Sequence, residues 1–456
     1  MSTRTARPKN RLRLNPGPVA EPFDDLDRLT PNALVQWWVR RLRRVLKSAA
    51  ADLPFYARRF AQAGFYPADF RGLADLQRVP ILTKADLLAA QAHGGSHRVG
   101  IEQSAGGAQA RTILSLSSGT SGTTYITHTA RWRRLQGLAS SRAHWWAGLR
   151  PGRPMILSAP AWHSYAAIQP FIVERFGLDC VVVSGTYLPR FADRIVDALL
   201  RFRPRFVTMF LPMVFAILSA ALRQGIEGRR LFAGVDALLV TGAPITPGMR
   251  AHLQDLTRVG RVAELAGSSE NLLAVDCARG AGLHLVPDTC YAQVLDPRSL
   301  QPVADGVRGT IVHSCTVPAG SLYLRYRGGD MGVMDHAPCP CGLPSPRIQL
   351  LGREEDSFSL GSQTLLPFDV QLALEEEVPE LAGVACVITR ESLAQGRLRL
   401  LLLAPQRSAA TLLDGARIRL ARRFAVPVEI ATAPHLPLRF KGVPPILSES
   451  EADAAT

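Results

Sequence analysis

Ser115-Leu-Ser-Ser-Gly-Thr-Ser-Gly-Thr-Thr124 is the stretch on which the reading of this 456-residue chain turns. It follows apolar Ile113–Leu114 and precedes the β-prone run Tyr125–Ile126–Thr127. Gly119 and Gly122 let the backbone approach a ligand closely, so that its N–H groups can converge on an anion. The hydroxyls of Ser117, Ser118, Thr120, Ser121 and Thr123 add hydrogen bonds for phosphate oxygens. No Gly-Lys-Ser/Thr follows at the spacing of a P-loop. A flexible Ser/Gly linker is the alternative, but a linker rarely sits this tightly between two β-prone runs.

Downstream, from about residue 150 to 270, helical segments alternate with short β-rich runs such as Cys180–Val183, Phe206–Met209 and Ala237–Val240. That alternation implies βαβ units and a largely parallel sheet. Ligands of such sheets sit in the loops at the carboxyl ends of the strands. Thr241-Gly-Ala-Pro244 is such a loop, and Thr246–Pro247 then restarts a helix. Upstream, Thr30–Pro31 caps a segment with helical spacing of Trp37, Trp38, Leu42, Val45 and Leu46. Beyond Arg353 the pattern changes to a compact α+β unit. A helix is expected at about Pro367–Val378, strands at Val384–Thr389 and Arg397–Leu403, a helix at about 409–424, and a strand at Val426–Ile430. The expected fold is therefore α/β: a large N-terminal domain with mixed or parallel sheets and helices, plus a small mobile C-terminal α+β lid. Its divisions fall at 1–29 (a disordered basic tail), 30–352, 353–446 and 447–456 (a polar tail).

The net charge of +15 favours anionic partners. The arginines are spread along the chain without a helix-turn-helix, RNP or zinc-finger pattern, which argues against nucleic acid. ATP, CoA or an acidic carrier protein would use the same field. No run approaches the ~20 apolar residues of a membrane helix, and the basic N-terminus lacks the apolar core of a secretory signal. Seven cysteines, an odd number, do not form a disulfide framework, so a reducing cytoplasm is the expected compartment.

Six segments in order carry a family resemblance. Ser117-Ser-Gly-Thr-Ser-Gly122 resembles the Ser/Thr-Ser-Gly-Thr-Thr-Gly loop of adenylate-forming enzymes, and more narrowly of the phenylacetate–CoA ligase family. Leu53-Pro-Phe-Tyr56 with Pro80-Ile-Leu-Thr-Lys84 is similar to that family's opening, and Thr241-Gly-Ala-Pro-Ile-Thr-Pro247 to its nucleobase loop. Ala266-Gly-Ser-Ser-Glu270 matches its Tyr-Gly-x-Thr-Glu segment, and Arg325-Tyr-Arg-Gly-Gly-Asp330 its Arg-Tyr-Arg-Thr-Gly-Asp segment. Gly352-Arg-Glu-Glu-Asp356 resembles its hinge.

The resemblance implies ATP-dependent, magnesium-dependent conversion of a carboxylic acid to an acyl-adenylate, then acyl transfer to CoA. Transfer to an amine or a carrier protein is the alternative, and a non-catalytic nucleotide-binding relative the remaining one. By the same resemblance, Ser117, Ser118, Gly119, Thr120, Ser121, Gly122 and Thr123 hold the β- and γ-phosphates. Gly242, Ala243 and Pro244, with Gly267, Ser268 and Ser269, flank the nucleotide. Asp330 receives the ribose hydroxyls, Arg353 reaches the ribose or α-phosphate, and Glu270 helps bind Mg2+, which prefers oxygen ligands. Lys441, in Pro437-Leu-Arg-Phe-Lys-Gly442, is the expected catalytic lysine, neutralising charge that builds in the transition state. Glu355 and Asp356 form the hinge of the lid. Three places depart from the pattern: Thr123–Thr124 follow Gly122 where the family loop often continues with Lys-Pro, Ala266 replaces an aromatic residue, and Phe440 replaces the glycine before the lysine.

Cys277-x6-His284 and Cys339-Pro-Cys341 offer three thiolates and an imidazole, a common donor set for structural Zn2+. Some members of the resembled family bind zinc there; Cys290 is the rival fourth ligand. Cys180, Cys290, Cys315 and Cys386 are otherwise expected in the core. The acid pocket implied by the resemblance is walled by Trp162, His163, Tyr165 and Phe210, whose aromatic content suggests an aryl or arylalkyl acid. Dimerisation is common in the family, though no residue of this chain demonstrates it.

Overall fold

The computed structural model describes residues 21–92, 113–116, 124–158, 164–183, 191–318, 321–403, 410–433 and 445–453. Its centre is a 12-stranded mixed sheet. One half is parallel: strands Cys180–Val183, Met155–Ser158, Phe206–Phe210, Ala237–Thr241 and Arg261–Gly267 lie side by side in that order. Both faces of this half are covered, which is why its strands read as continuous apolar runs rather than as alternation. Phe206, Phe210, Ala237 and Leu239 point into one core with helices Ala130–Ala147 and Ser164–Phe176. Val207, Met209, Leu238 and Val240 point into the other, with helices Ala192–Phe202, Leu211–Arg223 and Pro247–Thr257. The pleat alternates the side chains between the two cores.

The other half is antiparallel. Arg261–Gly267 pairs antiparallel with Leu272–Asp276, and the sheet continues through Leu283–Leu285, Arg347–Arg353, Tyr326–Asp335, Arg308–Cys315 and Cys290–Leu295. Leu82–Thr83 adds a short parallel edge beside Tyr326 and Arg327. The expected parallel sheet is thus the half formed by residues 150–270. The antiparallel half carries no helical crossovers to mark it in sequence.

Helix ends follow the capping chemistry. Thr30 caps Pro31–Asp52 by accepting from Ala33 N–H at 3.2 Å, and Thr246 caps Pro247–Thr257 by accepting from Met249 N–H at 3.2 Å. Gly137 lets two helices meet, because a Cβ there would stand 2.5 Å from Phe171 Cβ. The segment before the first long helix is clasped by Arg142. Its buried guanidinium donates to Asp288 at 2.8 Å, to Asp24 at 2.6 Å and to Asp27. Three acids around one buried Arg offset the cost of desolvating it.

Residues beyond Arg353 have a core of their own, which includes Leu360, Val370, Leu374, Ile388, Leu400, Leu420 and Phe424. Helices Pro367–Glu377 and Ala410–Phe424 pack on a sheet ordered Val428–Ala433, Leu398–Leu403, Cys386–Thr389, Ile446–Leu447. The strand expected at Val426–Ile430 starts two residues later, because Ala425 ends the helix at φ +56° and Pro427 has no N–H for a ladder. Glu375 joins this unit to the large sheet by accepting from Gly248 N–H at 2.9 Å and from the Thr246 hydroxyl. Among the described residues, no helix is long and apolar enough to cross a membrane.

Candidate functional site

The strands Ile113–Leu116 and Tyr125–His128, on either side of the Ser/Gly stretch, form an antiparallel pair with Leu116 opposite Tyr125. Ser117, Ser118, Gly119, Thr120, Ser121, Gly122 and Thr123 themselves lie outside the described residues, as do Trp162, His163 and Lys441.

Most of the remaining residues expected at the nucleotide site meet at one cavity, at the carboxyl ends of the parallel strands. Gly242, Ala243, Pro244, Gly267, Ser268, Ser269, Asp330 and Arg353 all line it. Gly242 is required there on two counts. Its φ is +90°, and a Cβ would stand 2.4 Å from Phe210 Cδ1. Ser268 N–H donates to Asn271 O at 2.9 Å, turning the chain tightly after strand Arg261–Gly267. Glu270 then lies between two strands, buried, with its Oε1 3.4 Å from the Tyr326 hydroxyl.

Asp330 and Arg353 face each other across adjacent antiparallel strands, so the sheet register itself pairs them. Arg353 Nη1 donates to Asp330 at 2.9 Å, and its Nε lies 3.6 Å from Glu355. The Asp330 carboxylate holds the guanidinium in its charged form against the opposing effect of burial. Gly329, at φ +90°, leaves room for that guanidinium, since a Cβ would sit 3.0 Å from Arg353 Nη2. Glu354–Asp356 form a short turn directly after Arg353, and Asp356 also lines the cavity.

Tyr165 and Phe210 extend the same cavity as an aromatic wall. The Tyr165 hydroxyl donates to His144 Nε2 at 2.6 Å. Burial lowers the His144 pKa to about 4, so the imidazole is neutral and its Nε2 can accept. Several lining residues went unnoticed in sequence: Trp132, Gln136, Ser140, Asn271, His313 and Phe368. The spacing of Trp132, Gln136 and Ser140 was the available signal, because residues four apart share one face of a helix. Ala266, where relatives of the pattern carry an aromatic residue, is buried in a core with Ile311 and Met334. Ile311, Leu350 and Phe368 supply apolar lining to the cavity.

A second cluster lies apart from this cavity. The donor atoms of Cys277, His284, Cys339 and Cys341 all fall within 4.8 Å of one another. Cys277 Sγ is 3.8 Å from Cys339 Sγ, and Cys341 Sγ is 3.3 Å from His284 Nε2. Zn–S bonds of ~2.3 Å at tetrahedral angles put sulfurs ~3.8 Å apart. His284 Nδ1 donates to Ser345 O at 2.7 Å, which leaves Nε2 as the ligand nitrogen and fixes the ring. Hydrogen bonding from Cys341 and the nearby imidazole hold the Cys277 thiol well below its usual range. Cys290 stands outside this group; its thiol donates to Leu272 O at 3.2 Å, and burial pushes its pKa up. Cys290, Cys315 and Cys386 are buried as expected, whereas Cys180 is only half-buried, because it begins the edge strand of the sheet.

The model of the AMP-binding enzyme family matches residues 41–316. The phenylacetate-coenzyme A ligase of Thermus thermophilus is 26% identical over 351 residues, covering 74% of this chain and 75% of that protein. The phenylacetate-coenzyme A ligase of Escherichia coli is 24% identical over 366 residues, covering 78% of each. The crystal structure of a 2-hydroxyisobutyryl-CoA ligase, in a postadenylation state with its acyl-AMP, superposes with a TM-score of 0.81 at 21% identity, covering 95% of each chain.

Proposed function

The chain belongs to the AMP-binding enzyme family, and we propose that it activates a carboxylic acid with ATP as an acyl-adenylate and then passes the acyl group to the thiol of CoA. The observation that carries this is the convergence of Gly242–Ala243–Pro244, Gly267–Ser268–Ser269, Asp330 and Arg353 on one cavity with an aromatic extension. The Asp330 carboxylate suits a cis-diol, since its two oxygens can accept from two hydroxyls. The Arg353 guanidinium offers directed donors for a phosphate. Residues 117–123 supply hydroxyls and N–H groups for the phosphates that leave as pyrophosphate. Curated relatives named for CoA favour a thioester product over an amide. An aryl or arylalkyl acid is favoured by Tyr165 and Phe210 on the cavity wall.

Two metals fit donor sets on this chain. Glu270, with its carboxylate buried beside the cavity residues, is the residue that would hold Mg2+, whose charge would offset that of the phosphates. Cys277, His284, Cys339 and Cys341 would hold Zn2+ in a purely structural role, because four protein ligands leave no open position. Unpaired cysteines throughout suit a reducing compartment such as the cytoplasm.

ATP–pyrophosphate exchange across a panel of aryl and arylalkyl acids tests the first half-reaction. Exchange stimulated by at least one acid is expected, with Lys441→Ala abolishing it while ATP binding persists. Folded protein that binds ATP yet stays silent with every acid would overturn the assignment. Supplying CoA, amines and carrier proteins to the active pair then identifies the acceptor, and an amide product would replace the thioester reading.

A further inference from the structure

Helix Ala130–Ala147 presents Trp132, Gln136 and Ser140 to the cavity, one helical turn apart on a single face. The stripe runs about 12 Å along the helix. Ser140 thus lies about two turns further along the helix than Trp132. Tyr165, Ile168 and Phe210 line the same cavity. The polar groups around Ser140 are committed elsewhere. Gln136 Nε2 donates to Asn271 at 2.7 Å, and Tyr165 donates its hydroxyl to His144 Nε2 at 2.6 Å. His144 Nδ1 donates to the Ser140 carbonyl at 2.7 Å, so neither ring nitrogen is left for the serine side chain.

Ser140 itself is 1% exposed, and among the described residues its Oγ has no hydrogen-bond partner. Its neighbour Ser141 shows the usual solution for a helical serine, bonding back to Gly137 O at 2.8 Å. Ser140 forgoes that bond. Native proteins seldom leave a buried hydroxyl unpaired, so this one calls for a partner that arrives with the ligand. We propose that Ser140 is a specificity-determining residue whose Oγ hydrogen-bonds a hydroxyl or amino substituent on the acid. The substrate class is then an aryl or arylalkyl acid bearing such a polar group, not the plain hydrocarbon acid. This rests on the adenylation reading above. An unsubstituted acid would leave the Oγ orphaned in the complex, and a site built to pair a hydroxyl discriminates against analogues that lack it.

The test is ATP–pyrophosphate exchange by the full chain with matched pairs of acids. Benzoate, phenylacetate and cinnamate are each compared with their ring-hydroxylated and ring-aminated counterparts. A substituted acid is expected to exceed its parent in kcat/KM by about tenfold or more, ~1.4 kcal/mol. Ser140→Ala should reduce that preference to within about twofold, by lowering kcat/KM for the substituted acid more than for its parent. Should the alanine variant fail to fold, Ser140→Cys, close in shape with a weaker donor, carries the same comparison. Parent acids equal to or better than every substituted one, or a preference that survives both substitutions, would overturn the role of Ser140 and leave adenylation standing. Silence with all acids, despite protection from unfolding by ATP, would instead remove the adenylation reading and this proposal with it.

Discussion

Replacing Gly242 by alanine puts a single methyl group where the loop after strand Ala237–Thr241 meets Phe210, in the proposed nucleotide and acid site. The backbone there sits at φ +90°, which a side chain resists by ~1–2 kcal/mol. The added Cβ would lie 2.4 Å from Phe210 Cδ1 and 3.1 Å from Cε1. Carbon atoms in contact prefer ~3.5–4.0 Å, so the ring must retreat by about 1 Å. It has little room, being 5% exposed in a core shared with Tyr165, Leu239 and Leu265. Overpacking of that kind costs ~1–3 kcal/mol. Together the two terms predict a loss of ~2–5 kcal/mol, read as a lower denaturation midpoint. A raised KM for the acid should accompany it, because Phe210 walls the pocket. Phe210→Leu in the Gly242→Ala background separates the terms. The shorter side chain should recover the packing part and leave the ~1–2 kcal/mol of backbone strain, giving a coupling of ~1 kcal/mol or more between the two sites. An unchanged midpoint and acid KM in Gly242→Ala, or strictly additive effects in the double variant, would refute the contact.

Asp330→Asn removes the charge opposite Arg353 and should raise the KM for ATP by about tenfold, the scale of one charged hydrogen bond, with a smaller effect on the acid; equal effects on both substrates would count against its assignment to the nucleotide. Glu264 is buried between Asp276 and Arg250, and the nearer guanidinium contact, 2.5 Å, goes to Asp276, leaving Glu264 at 3.8 Å. Burial, reinforced by the Asp276 charge, raises the Glu264 pKa to about 8. The folded chain therefore keeps a proton that the unfolded chain sheds near its ordinary pKa of about 4.5, so stability falls as pH rises between those values, by up to ~1.4 kcal/mol per pH unit. Glu264→Gln should remove this slope, gaining over the native chain in thermal melts at pH 7.5 and not at pH 4.5; parallel melting curves would show that Glu264 is ionised in the fold. Elemental analysis should find about one zinc per chain, and Cys339→Ser should lose it with a marked drop in thermal stability. Metal-free protein of unchanged stability would argue against that site.

The parts of this molecule that were legible in sequence are those in which local chemistry dictates the outcome. Thr246–Pro247 restarts a helix because a hydroxyl can cap it and a proline fits its first turn. The parallel half of the sheet was visible because strands covered on both faces must be apolar throughout. The residues proposed for the nucleotide were read as short ordered segments, and most of the described ones share one cavity because each lies in or directly after a strand of the same sheet. The antiparallel half was not legible. Its pairing of Asp330 with Arg353 depends on register between strands that begin 21 residues apart, at Tyr326 and Arg347. The acid pocket was half legible for a related reason. Aromatic residues near a strand end advertise themselves, but Ser140 lies within a helix, and a serine there is unremarkable until its hydroxyl is found buried with no partner among the described residues. The proposed nucleotide chemistry therefore reads out in motifs, whereas the proposed choice of acid rests on helix-borne side chains whose meaning depends on what the rest of the cavity leaves unsatisfied. That division also explains why adenylation could be argued from the resemblance of short ordered segments while the acid could not: the proposed phosphate contacts come from one glycine-rich loop, but the proposed acid wall is assembled from segments more than 100 residues apart, Gln136 against Asn271 being the clearest case, 135 positions apart in sequence.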